Sequence, residues 1–246
     1  MQTLEQVPDF SRQIQNMFGA VAPKYDFLNR LLSAGRDQHW RKTAVDLLSP
    51  QRGERFLDVA TGTADIALEI ASRHPSELKV MGIDFSGPML ELGQKKVADK
   101  QLERTITLQK GCGQSLPFSD RCFQGVISAF GLRNFSDPQR ALNEMHRVLQ
   151  DDGKIVILEF SHPPNPVLEW GYLFYFHFLL PQVGKFFSHH KSAYDYLPQS
   201  VAKFPMRGDL ALLMEQSGFR NVTHQDLTFG IVTLYHGIKN ECTTPK

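Results

Sequence analysis

"ERFLDVATGTADIALEI", residues 54–70, decides the fold. Arg55 to Ala60 reads as a buried strand. A Thr/Gly turn follows, then a helix from about residue 63 to 73, with carboxylates at Asp58 and Asp65. Strand–turn–helix units of this kind hold nucleotide-like cofactors, with free N–H groups at the start of the helix. A dinucleotide fold uses G-x-G-x-x-G there, so that the pyrophosphate rests on the helix. "ATGTAD" has only Gly62 and opens with an acid, which suits a cationic ligand better than a phosphate.

Outward from this unit the chain alternates. Strands are expected at 79–84, 105–110, 123–129 and 154–160, with helices at 87–99 and 138–149. Asp137 and Pro138 supply an N-cap and a first-turn proline. Such a rhythm implies a parallel sheet covered on both faces. Two closing strands, 221–227 and 231–238, are joined by only Thr228, Phe229 and Gly230, so they must be antiparallel. Residues 10–49 show helical spacing, broken by "SAGRD" at 33–37. "SHPPNPVLEW" opens a helical insertion after strand 5, and a helix is expected at 206–217. The α/β sheet so predicted is seven-stranded and Rossmann-like, in one domain over 1–246, with a helical cap at 10–49 and an insertion at 161–204.

Asp84 ends strand 2, 22 positions after Gly62, where an acid accepts hydrogen bonds from a ribose diol. A ribose, an ammonium and no phosphate together describe S-adenosylmethionine. With no ligand, Asp58 and Asp84 would be plain caps or turn formers.

Bulk properties exclude several classes. A net charge of +1 gives no electrostatic footprint for nucleic acid. Three cysteines, none in a CxxC pair, fit a reducing compartment and argue against zinc. The N-terminal residues have no signal-peptide layout. "WGYLFYFHFLL" at 170–180 has 11 residues, well short of the roughly 20 a spanning helix needs. Eight of the 26 aromatics fall within 170–187, on every face of the expected helix, which is then either a core helix or one that meets lipid.

Several segments together resemble the C-methyltransferases of menaquinone and ubiquinone biosynthesis. "YDFLNRLLSAGRDQHW" carries Tyr25, Asp26, Asn29, Ser33 and Trp40 of the family's first signature, and "RVLQDDGKIVILEFS" resembles its second. "FGLRN" (130–134), "LPFSD" (116–120) and "YDYLPQSVAKFP" add to the likeness, which covers about residues 10–240. The resemblance implies a class I S-adenosylmethionine-dependent methyltransferase with an antiparallel last strand. The substrate it implies is a polyprenylated quinol, demethylmenaquinol, with the benzoquinol precursor of ubiquinone as the alternative. It also implies a cytoplasmic protein in peripheral contact with a membrane, with homo-oligomers or other quinone-biosynthesis enzymes as partners. The chain departs from the pattern in the cradle: Ala64 stands for a glycine, Cys112-Gly113 for a polar pair near the adenine, Ala129 for a serine and Asp37 for a histidine.

The resulting site has Asp58, Gly62, Thr63, Asp84, Cys112, Gly113 and Ala129 around the cofactor. Asn29, Asn134 and Tyr194 orient the ring. Tyr25, Asp26 and Arg133 handle protons and the phenolate, because only a reduced quinol has a carbon nucleophilic enough to take the methyl group. No metal is expected, since a thioether leaves as a neutral group. Cys112 reads as a packing residue, His146 as a helix-surface residue, His162 as a minor site candidate and "SHHK" (188–191) as a solvated turn. An NAD(P)-linked oxidoreductase and a catalytically silent module of the same fold remain the alternatives.

Overall fold

The structure, a computed structural model, describes residues 17–19, 22–174 and 191–240. The start of the expected N-terminal cap, the insertion at 175–190 with Phe176, Phe187 and "SHH", and the side chain of Tyr194 lie outside the described residues.

Two helices, α1 (Tyr25–Leu32) and α2 (Arg36–Leu48), precede the sheet. Gly35, at φ 77°, turns the chain between them. The strands are β1 (Arg55–Val59), β2 (Lys79–Asp84), β3 (Ile106–Lys110), β4 (Phe123–Ala129), β5 (Leu149–Phe160), β6 (Phe219–Leu227) and β7 (Val232–Lys239). Their order is β3-β2-β1-β4-β5-β7-β6. β1 to β5 run parallel, while β7 pairs antiparallel with both β5 and β6. The short turn after β6 thus reverses the chain and places β7 inside the edge strand.

α3 (Asp65–Ala71), α4 (Gly87–Asp99), α5 (Pro138–Val148) and α8 (Gly208–Gln216) cover the sheet, and α6 (Pro166–Phe174) and α7 (Lys191–Lys203) belong to the insertion. Asp137 caps α5 by accepting from the Arg140 N–H, as its place before Pro138 predicts. Two apolar layers fill the faces. One holds Val45, Phe56, Ile70, Val156 and Leu234, the other Leu57, Leu142, Met145, Ile157 and Tyr235. Completely burying one such side chain stabilises by about 1.5–3 kcal/mol.

Several boundaries differ from expectation, two of them with a visible cause. α3 begins at Asp65 because Ala64 is left-handed at φ 67°, which delays the first helical turn. β5 begins at Leu149 instead of 154, since the ladder to β4 resumes past a bulge between Phe123 and Gly125. Gly153 lies at this irregularity, and a Cβ there would come within 2.8 Å of the Gln150 carbonyl oxygen.

Candidate active site

The site lies at the carboxyl ends of the parallel strands, where each strand hands over to a loop. Asp58, one residue before the end of β1, is buried and accepts a hydrogen bond from the Thr61 hydroxyl. Burial pushes its carboxyl up to about 7; the Thr61 hydroxyl opposes that shift and the nearby Asp84 charge adds to it. β2 ends in Asp84, also buried. Its Oδ2 accepts from the Gly62 N–H at 2.9 Å and its Oδ1 from the Ser86 N–H at 2.8 Å. Burial raises this carboxyl as well, against the pull of those N–H donors.

The turn between β1 and α3 is tightly wound. Ala60, Gly62 and Ala64 all have positive φ, and the space a Gly62 Cβ would occupy holds no atom within 4 Å. Open space beside Gly62, flanked by two buried acids, fits a ligand that brings a diol and a positive charge. Ser86 Oγ is buried beside Asp84 with no hydrogen-bond partner among the described residues, so one further hydroxyl is available there.

Thr63 is buried and donates to Asp26 Oδ1 at 2.6 Å, which brings α1 onto the cofactor turn. Asp26 Oδ2 meets Lys96 Nζ at 2.5 Å. Tyr25, half-buried, lies edge-on to Phe18 with centroids 6.1 Å apart, and Asn29 is half-buried on the same helix. After β3, Cys112 is exposed, which corrects its reading as a packing residue: its backbone bridges to Ser115 and its thiol faces outward. Gly113 is the packed neighbour; a Cβ there would fall 2.5 Å from Phe135 Cζ and 2.8 Å from Val59 Cγ1. Ala129 closes β4, half-buried.

The "FGLRN" loop forms a second group. Arg133 Nη1 pairs with Glu159 Oε2 at 2.8 Å and donates to the Phe130 carbonyl at 2.6 Å. The Arg133 and Glu159 side chains are 5% and 1% exposed, so this is a buried pair, and the guanidinium also lies 5.2 Å from the Phe160 ring centroid. Arg133 Nε is buried without a partner among the described residues. Asn134 Oδ1 accepts from the Tyr196 hydroxyl at 2.9 Å, which joins the loop to α7. Burial raises the Tyr196 phenol, with Arg133 opposing.

Lys96, Glu159 and Tyr196 were not among the expected site residues. Glu159 was visible in the "LEFS" signature, and Tyr196 lies two positions from Tyr194, whose backbone sits in the same helix. Lys96 lies in α4 and carries no local signal. Trp40 is a supporting residue: its indole donates to Thr228 Oγ1 at 2.7 Å and its ring packs edge-on to Phe130 and Phe160.

His146 corrects its surface reading; it is half-buried, with its ring 5.1 Å from that of Phe219. Burial holds the imidazole below its ordinary value. His162 follows β5, edge-on to Tyr172 at 5.4 Å, and burial also holds its imidazole below its ordinary value, with Glu169 opposing. Among the described residues no cluster of three or more His, Cys, Asp or Glu is arranged for a metal.

The comparisons agree with this geometry. The profile of the ubiE/COQ5 methyltransferase family matches residues 6–239. A ubiquinone/menaquinone biosynthesis C-methyltransferase from Citrifermentans bemidjiense is 51% identical over 227 residues, covering 92% of this chain and 96% of that one. A demethylmenaquinone methyltransferase from Porphyromonas gingivalis is 42% identical over 230 residues, covering 93% and 94%. Among solved structures, an S-adenosylmethionine-dependent methyltransferase from Thermotoga maritima superposes with a TM-score of 0.62 at 20% identity, covering 92% of this chain and all (100%) of that one. That likeness shows the fold, the class I methyltransferase sheet.

Proposed function

The chain belongs to the ubiE/COQ5 methyltransferase family, and from that premise we propose that it methylates a ring carbon of demethylmenaquinol. S-adenosylmethionine-dependent C-methylation in quinone biosynthesis is the activity of the family and of this chain. The observation that carries the cofactor half is the buried pair Asp58 and Asp84 flanking the open space at Gly62. S-adenosylmethionine supplies an electrophilic methyl group on a sulfonium. Asp84 would hold its ribose hydroxyls, Asp58, Gly62 and Thr63 its charged end, and Cys112, Gly113 and Ala129 the walls.

Methylation of an aromatic carbon releases one proton, and the ring must first be electron-rich. In this reading Arg133 stabilises the phenolate by charge-assisted hydrogen bonding, held in place by Glu159. Asp26 accepts the proton, directly or through water, while Tyr25, Asn29, Asn134 and Tyr194 orient the ring. General-base help of this kind is worth typically ~10²–10⁴ in rate. Single turnover on a short-tail analogue should proceed only in its reduced form; equal rates on the oxidised form would end this mechanism. Asp26→Asn and Arg133→Ala should slow that turnover, and wild-type rates in both would remove these residues from the chemistry.

The ubiquinone precursor is the second reading, favoured by the double name of the C. bemidjiense relative. Incubation with labelled S-adenosylmethionine and reduced lipid extracts that contain both precursors decides between them. Label is expected in menaquinol; label in the benzoquinol supports the second reading. Absence of label, together with absence of cofactor binding, would leave a silent module.

A further inference from the structure

α1 is held to the body of the protein by charge more than by apolar burial. Of its eight residues only Leu28 is buried, while Phe27 and Leu31 are exposed. Asp26 supplies the polar hold. Its Oδ1 accepts from Thr63 at 2.6 Å and its Oδ2 meets Lys96 Nζ at 2.5 Å. Lys96, in the last turn of α4, also reaches Asp65 Oδ1 at 2.6 Å and Thr63 Oγ1 at 3.0 Å. One ammonium, with three N–H donors, therefore meets three acceptors on three segments: α1, the cofactor turn and the start of α3.

A second cation completes the arrangement. Arg41 of α2 is buried, forms an ion pair with Asp37 and reaches Asp65 Oδ2 at 3.6 Å. Burial alone would lower the Arg41 pKa, but Asp65 and Asp37 outweigh it and the net direction is upward. Ser33 Oγ holds Asp37 Oδ1 at 2.9 Å. Asp65 thus carries one cation on each oxygen, and Asp37 occupies the place where the family signature has a histidine.

We propose that Lys96 is a positioning residue that fastens α1 over the cofactor turn through Asp26 and Asp65, so that ordering of α1 and retention of the cofactor are coupled. The inference rests on the cofactor half of the proposed function and is independent of which quinol is methylated. Removing Lys96 leaves Asp26 and Asp65 as like charges around one hydroxyl, which turns attraction into repulsion. An element with a single buried side chain opens easily once that hold is gone. These side chains are 27–36% exposed, a partial shielding from water that makes the contact stronger than a fully exposed pair.

Hydrogen exchange at the amides of 25–32 tests this, alongside calorimetry with S-adenosylhomocysteine, both on the full chain. Lys96→Met should speed exchange there and weaken binding, each by about tenfold, while β1, β4 and β5 keep their protection. Lys96→Arg should restore most of both. Asp26→Asn should loosen α1 as Lys96→Met does, and the double variant should be no looser than either single one. Unchanged exchange at 25–32 in Lys96→Met would overturn the proposal. So would exchange that rises equally in β1, β4 and β5, or additive effects in the double variant. A wild-type protein that binds no S-adenosylhomocysteine would defeat the cofactor reading itself, whereas normal wild-type binding with an indifferent Lys96→Met defeats only the fastening.

Discussion

Asp58 is a carboxyl whose charge is decided by its surroundings. With its folded value pushed up to about 7, it stays protonated over a range where the unfolded residue, at about 3.9, is already ionised. Its contribution to stability is therefore fully present below about pH 4 and is lost as pH rises through about 7, at up to about 1.4 kcal/mol per pH unit. Denaturant titrations should show a steeper loss of stability with rising pH in the wild type than in Asp58→Asn, where only the similarly raised Asp84 remains. The ionised form is the one that attracts a sulfonium cofactor, so affinity should rise between about pH 5.5 and about pH 8. A flat binding profile in the wild type would remove Asp58 from the cradle. Asp84→Ala should weaken cofactor binding by ~1–3 kcal/mol, because it unpairs the ribose hydroxyls in a crevice shielded from water. It also frees the Gly62 and Ser86 N–H groups, so a part of the loss should appear as a lower Tm. NADH should not bind to either protein.

The elements at the mouth of the site carry apolar side chains outward. α6 exposes Val167, Leu168, Trp170 and Phe174, and Trp170 stacks on Phe174 at 6.0 Å. Nearby, Phe229 at the β6–β7 turn is 76% exposed and left-handed at φ 59°. A Cβ on the adjacent Gly230 would touch Pro164, two residues before α6 begins, so the two features adjoin. No described helix is long and apolar enough to cross a membrane. The peripheral membrane contact that the resemblance implies would fall on this face. Trp170→Asp and Phe229→Gly should each reduce flotation with vesicles, and that binding should persist in high salt because the net charge is only +1. Phe229→Gly should meanwhile gain roughly 1 kcal/mol of stability by relieving the left-handed backbone. Flotation unchanged in both variants would count against the membrane face. Gly113→Ala tests the packing under the cofactor loop: the clash with Phe135 and Val59 should destabilise by about 1–3 kcal/mol.

At the scale of the whole molecule, one end of the sheet gathers the chemistry. β1 carries Asp58 next to its last residue, β2 and β4 end in Asp84 and Ala129, β5 brings Glu159 beside Arg133, and the 228–230 turn arrives at the same end through Trp40. An open cleft of about 240 Å³ at the amino end, lined by Gln51, Glu54, Gln124 and Asp151, contains none of the proposed site residues. The cap and the insertion each attach to this end by a polar contact, Asp26 with Thr63 and Tyr196 with Asn134.

The amino-acid sequence alone determined the strand rhythm, the antiparallel closing pair and the two acids of the cradle. Each of these rests on local spacing: alternating buried strands and helices, a three-residue link, and carboxylates at the ends of strands. It also carried Asp137 as a helix cap, since a cap bonds within three residues of itself. Only the tertiary structure decided that Asp26 is held by Lys96, 70 positions along the chain, and that Arg133 is buried against Glu159. Ion pairs between distant elements leave no periodicity to read, because their partners are chosen by how helices and loops pack over the sheet. The outward thiol of Cys112 was hidden for the same reason: Gly113 alone fits beneath Phe135, and that close approach exists only once the loop has folded onto β1.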